Sequence, residues 1–161
     1  QWQTFMPDEV RTLRGHAYQE VAYAVVSKFM GGAVPEAELK HMIVQAYATF
    51  DHPAVTPLRQ LDANQWLLEL FHGPTLAFKD VAMQLLARLM DWSLKKRGSR
   101  VTIVGATSGD PGVAAIDAVK TRTHATPVIL PPHGHVSTAR PPQLTTLDTP
   151  PLHHLDIKGN F

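Results

Sequence analysis

The stretch "FHGPTLAFKD", residues 71 to 80, places one lysine, Lys79, after a turn-forming His-Gly-Pro-Thr and directly ahead of a long helical pattern. Lysine is mildly disfavoured at the positive end of a helix, and Ala77 and Phe78 supply apolar surroundings that lower an ammonium's pKa toward a reactive free amine. A free amine is a nucleophile for carbonyl groups. The plain alternative is an exposed lysine at a helix start, beside an Asp80 that sits favourably near the helix dipole. His72 reads as a wall or turn residue rather than a base.

A second candidate is "GATSGDPG", residues 105 to 112. A strand entering a loop rich in glycine, serine and threonine, and then a helix, turns free N–H groups and a helix dipole toward an anion. The glycines at 105, 109 and 112 match neither Gly-x-Gly-x-x-Gly nor a phosphate loop ending in Gly-Lys-Ser/Thr, and Asp110 opposes a crowd of phosphates. A bare strand-to-helix connection is the alternative. His133 and His135 form a His-x-His and His153-His154 a pair, but no further ligand is well spaced, so no metal site is expected.

The elements that would hold these residues are legible from periodicity. Val21, Ala22, Val25, Val26 and Phe29 mark an amphipathic helix over Tyr18 to Met30, ended by Gly31-Gly32. A second follows Pro35, with Leu39, Met42, Ile43 and Ala46 in line. "NQWLLELF", residues 64 to 71, is an extended segment leading into the turn. Phe78, Val81, Ala82, Leu85, Leu86, Leu89 and Met90 then share one helical face up to a basic cluster and Gly98. Residues 100 to 130 read as strand, helix, strand, which implies a parallel sheet with a right-handed crossover. The tandem prolines after residue 130 predict irregular chain there. Three regions are therefore expected: a helical one over 1–60, the lysine segment with the α/β unit over 61–130, and a proline- and histidine-rich end over 131–161.

Composition limits the function. The 161 residues suffice for a real core, and 44% hydrophobic with 18% charged residues is globular. No apolar run approaches the roughly 20 residues of a membrane span. A formal net charge of +1 gives no general field for nucleic acid, and Lys95, Lys96, Arg97 and Arg100 read as a solvated helix end. The absence of cysteine rules out disulfides, thiolate zinc and iron–sulfur clusters, and suits the reducing cytoplasm. A start on Gln1-Trp2 without methionine, and an abrupt end at "KGNF", lead us to expect a piece of a longer chain.

"LELFHGPTLAFKDVAMQLLARLM" together with "GATSGDPGVAAIDAVK" resembles threonine synthase of the bacterial and fungal branch, in the fold type II group of pyridoxal phosphate enzymes. "AYQEVAYAVVSKFMGGAVPEAELKHMIVQAYATF", "PLRQLD" and "PHGHVS" extend the likeness over nearly the whole chain. The resemblance implies an α/β fold in which an N-terminal helical segment precedes the parallel-sheet small domain of a tryptophan synthase β-like fold, here truncated. It implies that Lys79 holds pyridoxal 5'-phosphate as a Schiff base beside Phe78. It also implies that Thr107, Ser108, Gly109 and Asp110 contact the substrate carboxylate or the cofactor, with Asp110 placed to meet the ring hydroxyl.

The implied reaction converts O-phospho-L-homoserine and water to L-threonine and phosphate. The cofactor serves as an electron sink while protons leave the α and β carbons, phosphate departs from the γ carbon and water adds at the β carbon. A lysine released from the cofactor is the natural proton carrier. A phospholyase giving a keto acid and ammonia, or a non-catalytic relative or fragment acting as a scaffold, are the alternatives. The oligomeric state is open, a monomer included.

Departures from the family pattern are local. Asp110-Pro111-Gly112 stands where the family reads Asp-Thr-Gly, losing a hydroxyl and an N–H, although proline suits a first helical turn. Pro131, His135, Pro141 and Pro142 replace residues that are ordinarily tyrosine, arginine and polar or basic ones, and the arginine change removes a fork-shaped donor for phosphate. The glycine-rich grip on the cofactor phosphate is expected beyond Phe161, so these 161 residues alone are expected to be inactive.

Overall fold

Acidic residues stand in the first turn of each of the first four helices, and left-handed glycines close two of them. The computed structural model describes residues 3–106, 110–130 and 153–154. Helix α1, Pro7–Thr12, starts on its proline with Asp8 and Glu9 in the first turn, where the Glu9 carboxylate accepts the Met6 N–H at 2.7 Å. Helix α2, Tyr18–Met30, stops at Gly31, whose φ of 53° suits a residue without a Cβ. Helix α3, Glu36–Tyr47, follows Pro35. Lys28 ties α1 to α2 by donating to the Glu9 carboxylate at 2.7 Å and the Thr4 carbonyl at 3.1 Å.

On α3 the expected stripe is the buried one: Leu39, Met42, Ile43 and Ala46 all lie in the core. On α2 the stripe is rotated. Tyr18, Ala22, Tyr23, Val26 and Met30 pack on the core, whereas Phe29 is exposed. The apolar arc of α2 is wider than its contact with α3, so periodicity finds the helix without selecting which side is covered.

A hairpin follows. Strand β1, Leu58–Asp62, pairs antiparallel with β2, Gln65–Leu68, with an irregularity between Gln60 and Asp62 and the Asp62 carboxylate accepting the Ala63 N–H at 2.7 Å. The expected extended segment over 64–71 thus has its strand at Gln65–Leu68, and β1 is an element that periodicity did not announce.

Helix α4, Asp80–Arg97, ends at Gly98 with Lys95, Lys96 and Arg97 in the last turn. Leu85 joins the first core, built on α3 with Val34 and Val55, while Val81, Leu89 and Trp92 pack against it. Ala87 faces a second core made with Ala118, Val119 and Ala125. Lying between two cores, α4 buries Gln84, Ala87 and Arg88 and leaves Leu86 exposed, and Phe78 precedes the helix and is exposed too, which corrects the single apolar face expected for it. Gln84 donates to Asp117 at 2.7 Å and accepts from Arg88 at 3.0 Å, so these polar residues meet one another between the cores, although the Arg88 Nε is buried without a hydrogen-bond partner among the described residues.

Strand β3, Val101–Ala106, and strand β4, Ala125–Leu130, pair in parallel through the crossover helix α5, Asp110–Val119, as the strand–helix–strand reading requires. Pro111 falls in the first turn of α5, where its missing N–H breaks no helical bond. The third strand, β5, is His153–His154, parallel to β4 at Val128 and Ile129. This corrects the expectation of irregular chain at those two residues, which lie just past the last proline pair and keep their N–H groups. Among the described residues no helix is long and apolar enough to cross a membrane.

Candidate active site

Lys79 caps α4 in the right-handed region, with φ −61° and ψ −24°, and its carbonyl accepts the Ala82 and Met83 N–H groups at 3.1 and 2.9 Å. The side chain is half-buried. Its ammonium lies 5.3 Å from the centre of the exposed Phe78 ring, Ala77 beside it is buried, and no carboxylate among the described residues pairs with it. The apolar enclosure expected from Phe78 is therefore one-sided.

Successive residues of α4 meet successive residues from Asp117 onward: Gln84 bonds Asp117, Ala87 packs with Ala118, and Asp91 accepts the His124 N–H at 2.9 Å. The two helices therefore run the same way, and their N-termini open on the edge where β3 and β4 end. That edge is where open parallel sheets bind ligands, and helix N-termini favour anions there. Lys79 and Asp110 mark the starts of α4 and α5 on this edge. Thr107, Ser108 and Gly109 lie outside the described residues, as do His133, His135 and the substitutions at 131, 141 and 142.

Asp80 is the residue that sequence reasoning undervalued. It is completely buried, and its carboxylate accepts the Thr75 N–H at 2.8 Å and the Thr75 hydroxyl at 2.7 Å. Burial pushes its carboxyl up, against the Thr75 bonds that favour the anion. Besides standing in the first turn of α4, near the positive end of its dipole, Asp80 closes the Gly-Pro-Thr turn onto that helix. The signal available in the sequence was a threonine five residues ahead of an aspartate, across a turn.

His72 braces the same turn. Its ring nitrogens lie 2.9 Å from Asp51 and 2.8 Å from Glu69, and its carbonyl accepts the Asp51 N–H at 3.0 Å. Its role as a turn residue is thus visible as a set of bonds. The Glu69 hydrogen bond, with Asp51 assisting, holds the imidazole above its ordinary pKa of 6.5. A folded-state pKa above the unfolded one stabilises fully below pH ~6.5, and this contribution fades as pH rises through the folded value. An NMR titration should place the His72 midpoint above 6.5, and Glu69→Gln should lower it. An unmoved midpoint in that variant would remove Glu69 as the cause.

Residues 1–47 match the family model described as threonine synthase N terminus. A threonine synthase of Pseudomonas aeruginosa is 46% identical over 157 residues, covering 98% of this chain and 34% of that protein. One from Schizosaccharomyces pombe is 38% identical, over 98% of this chain and 34% of that protein. Among solved structures, the pyridoxal phosphate-bound threonine synthase of Brucella melitensis superposes with a TM-score of 0.93 at 53% identity, over 99% of this chain and 34% of that one. Yeast threonine synthase gives 0.89 at 33% identity, with the same coverage. The chain spans about a third of the length of the relatives it matches, and its α/β fold is that of their N-terminal portion.

Proposed function

Because this chain is homologous to the N-terminal third of threonine synthases, we propose that it supplies the cofactor-anchoring lysine of a threonine synthase acting on O-phospho-L-homoserine. The observation that carries this reading is the placement of Lys79, an amine without a carboxylate partner among the described residues, on the sheet edge where α4 and α5 begin. A primary amine beside two helix N-termini fits an aldehyde cofactor that carries an anionic group, so the residues present suit pyridoxal 5'-phosphate. When bound, that cofactor supplies an electron sink for carbanion chemistry at the α and β carbons of an amino acid.

The chain's own residues divide the remaining work. Lys79 anchors the cofactor and, once released, carries protons to and from the substrate carbons within reach of its flexible stem. Phe78 flanks the amine on its open side. Thr107, Ser108 and Gly109 follow β3 in sequence and Asp110 begins α5; together they bind the substrate carboxylate and orient the cofactor ring. Pro111 leaves this loop one N–H donor poorer than a threonine would, so a weakened hold on the substrate is the expected cost. A cysteine-free chain without a membrane-length apolar helix among its described residues suits catalysis in the cytoplasm.

The test is to express the complete gene product, add pyridoxal 5'-phosphate, reduce with borohydride and map the labelled peptide. The label is expected on Lys79, and label on any other lysine overturns the assignment. Threonine and phosphate are the expected products; a keto acid with ammonia would assign the chain to a phospholyase instead.

A further inference from the structure

We propose that Thr75 and Asp80 form a positioning clasp that fixes where the Lys79 amine can reach; this rests on the reading of Lys79 as the cofactor anchor. The two residues bracket Lys79 in sequence and are joined by two hydrogen bonds to one buried carboxylate, so the intervening chain is a closed ring. The ring is tightly determined. Leu76 N–H donates to the Gly73 carbonyl at 3.1 Å and Asp80 N–H to the Ala77 carbonyl at 3.0 Å. Leu76 sits at φ 61°, a left-handed conformation that costs a non-glycine residue and persists only where its surroundings impose it. Gly73 lies so close to the Asp80 side chain that there is no room for a Cβ.

Lysine cannot cap a helix, and no side chain caps α4 at Lys79. The carboxylate one residue later grips the preceding turn instead. The base of the Lys79 side chain is therefore held from both sides, by the ring before it and by α4 after it. Such control matters for a lysine that must return to the same atom in every turnover, because misplacement by about 1 Å can cost about 100-fold in rate. A buried carboxylate is expensive to keep for stability alone, whereas it is a directional device for specifying one geometry.

The clasp is tested in the complete gene product with Thr75→Val, which keeps the shape and loses the hydroxyl, and Thr75→Ser, which restores it. Three readouts apply: the rate at which the visible absorbance of the cofactor–lysine linkage forms, the pH midpoint of that absorbance, and kcat against KM. Thr75→Val should slow linkage formation and lower kcat by about tenfold to a hundredfold. It should also shift the midpoint while leaving KM within about twofold, and Thr75→Ser should return all three toward wild type. A folded Thr75→Val that forms the linkage at the wild-type rate with an unshifted midpoint overturns the clasp. If Thr75→Val does not fold, Asp80→Asn decides: its amide reverses the hydroxyl bond without opening a cavity, so linkage formation should slow by a few-fold, and a wild-type rate overturns the proposal. Borohydride label on Lys79 in the wild type, with indifferent variants, rejects only the clasp; label elsewhere rejects the anchor reading itself.

Discussion

Lys79→Ala in the complete gene product is expected to abolish the visible absorbance of bound pyridoxal 5'-phosphate and to cut kcat by at least about 10²–10⁴-fold, the range associated with losing a positioned proton carrier. The same change should barely touch stability. Lys79 offers no side-chain cap to α4, and among the described residues its ammonium makes no ion pair. Its contact with the exposed Phe78 ring, at 5.3 Å, is worth about 0.5–1 kcal/mol. Circular dichroism melting beside absorbance titration separates the two effects. Retained absorbance would remove Lys79 as the anchor, and a collapsed melting curve would make it a structural residue.

What could be read from the sequence follows from which forces are local. Helices α2 and α3 carry their own start and stop signals, so their bounds emerge from Pro35, the first-turn acids and Gly31. The parallel pairing of β3 and β4 follows from two apolar strands around one helix. The faces of α2 and α4 depend on what packs from outside, and there the reading fails: one sequence stripe cannot reveal that α4 lies between two cores, with Arg88 and Gln84 turned inward to meet Asp117. Strand β1 escaped for a different reason. Both hairpin strands are exposed along their whole length, so the burial that produces a period-two pattern is missing. At the site, the motif singled out Lys79 because chemistry constrains residue type. Asp80 was passed over because its constraint is a contact with Thr75, visible only once the turn has closed.

Gly73→Ala tests that closure most severely. In an ordinary turn a glycine is kept for a positive φ, as at Gly15 with φ 81°, where a Cβ would meet nothing within 4 Å. Gly73 is not among the positive-φ glycines; its constraint is space. A Cβ there would sit 2.5 Å from Asp80 Oδ2 and 2.8 Å from its Cγ, and closer still to the Asp80 Cβ, which the start of α4 holds in place. Relief requires moving the carboxylate off Thr75 or moving the turn off the helix. Overpacking costs about 1–3 kcal/mol, and loosening bonds to a buried charged acceptor adds about 1.5–3 kcal/mol, so a loss of roughly 2.5–6 kcal/mol is expected from the two together. Gly15→Ala, which meets only backbone strain, should cost about 1–2 kcal/mol. Urea unfolding of the two variants side by side measures the difference, and a Gly73→Ala cost no greater than that of Gly15→Ala would mean that the turn has room to yield. Because Lys79 lies within the ring that Thr75 and Asp80 close, and Gly73 packs on that Asp80 side chain, any Gly73→Ala protein that folds should also form its cofactor linkage more slowly. Gly15→Ala lies outside that ring and should form it at the wild-type rate.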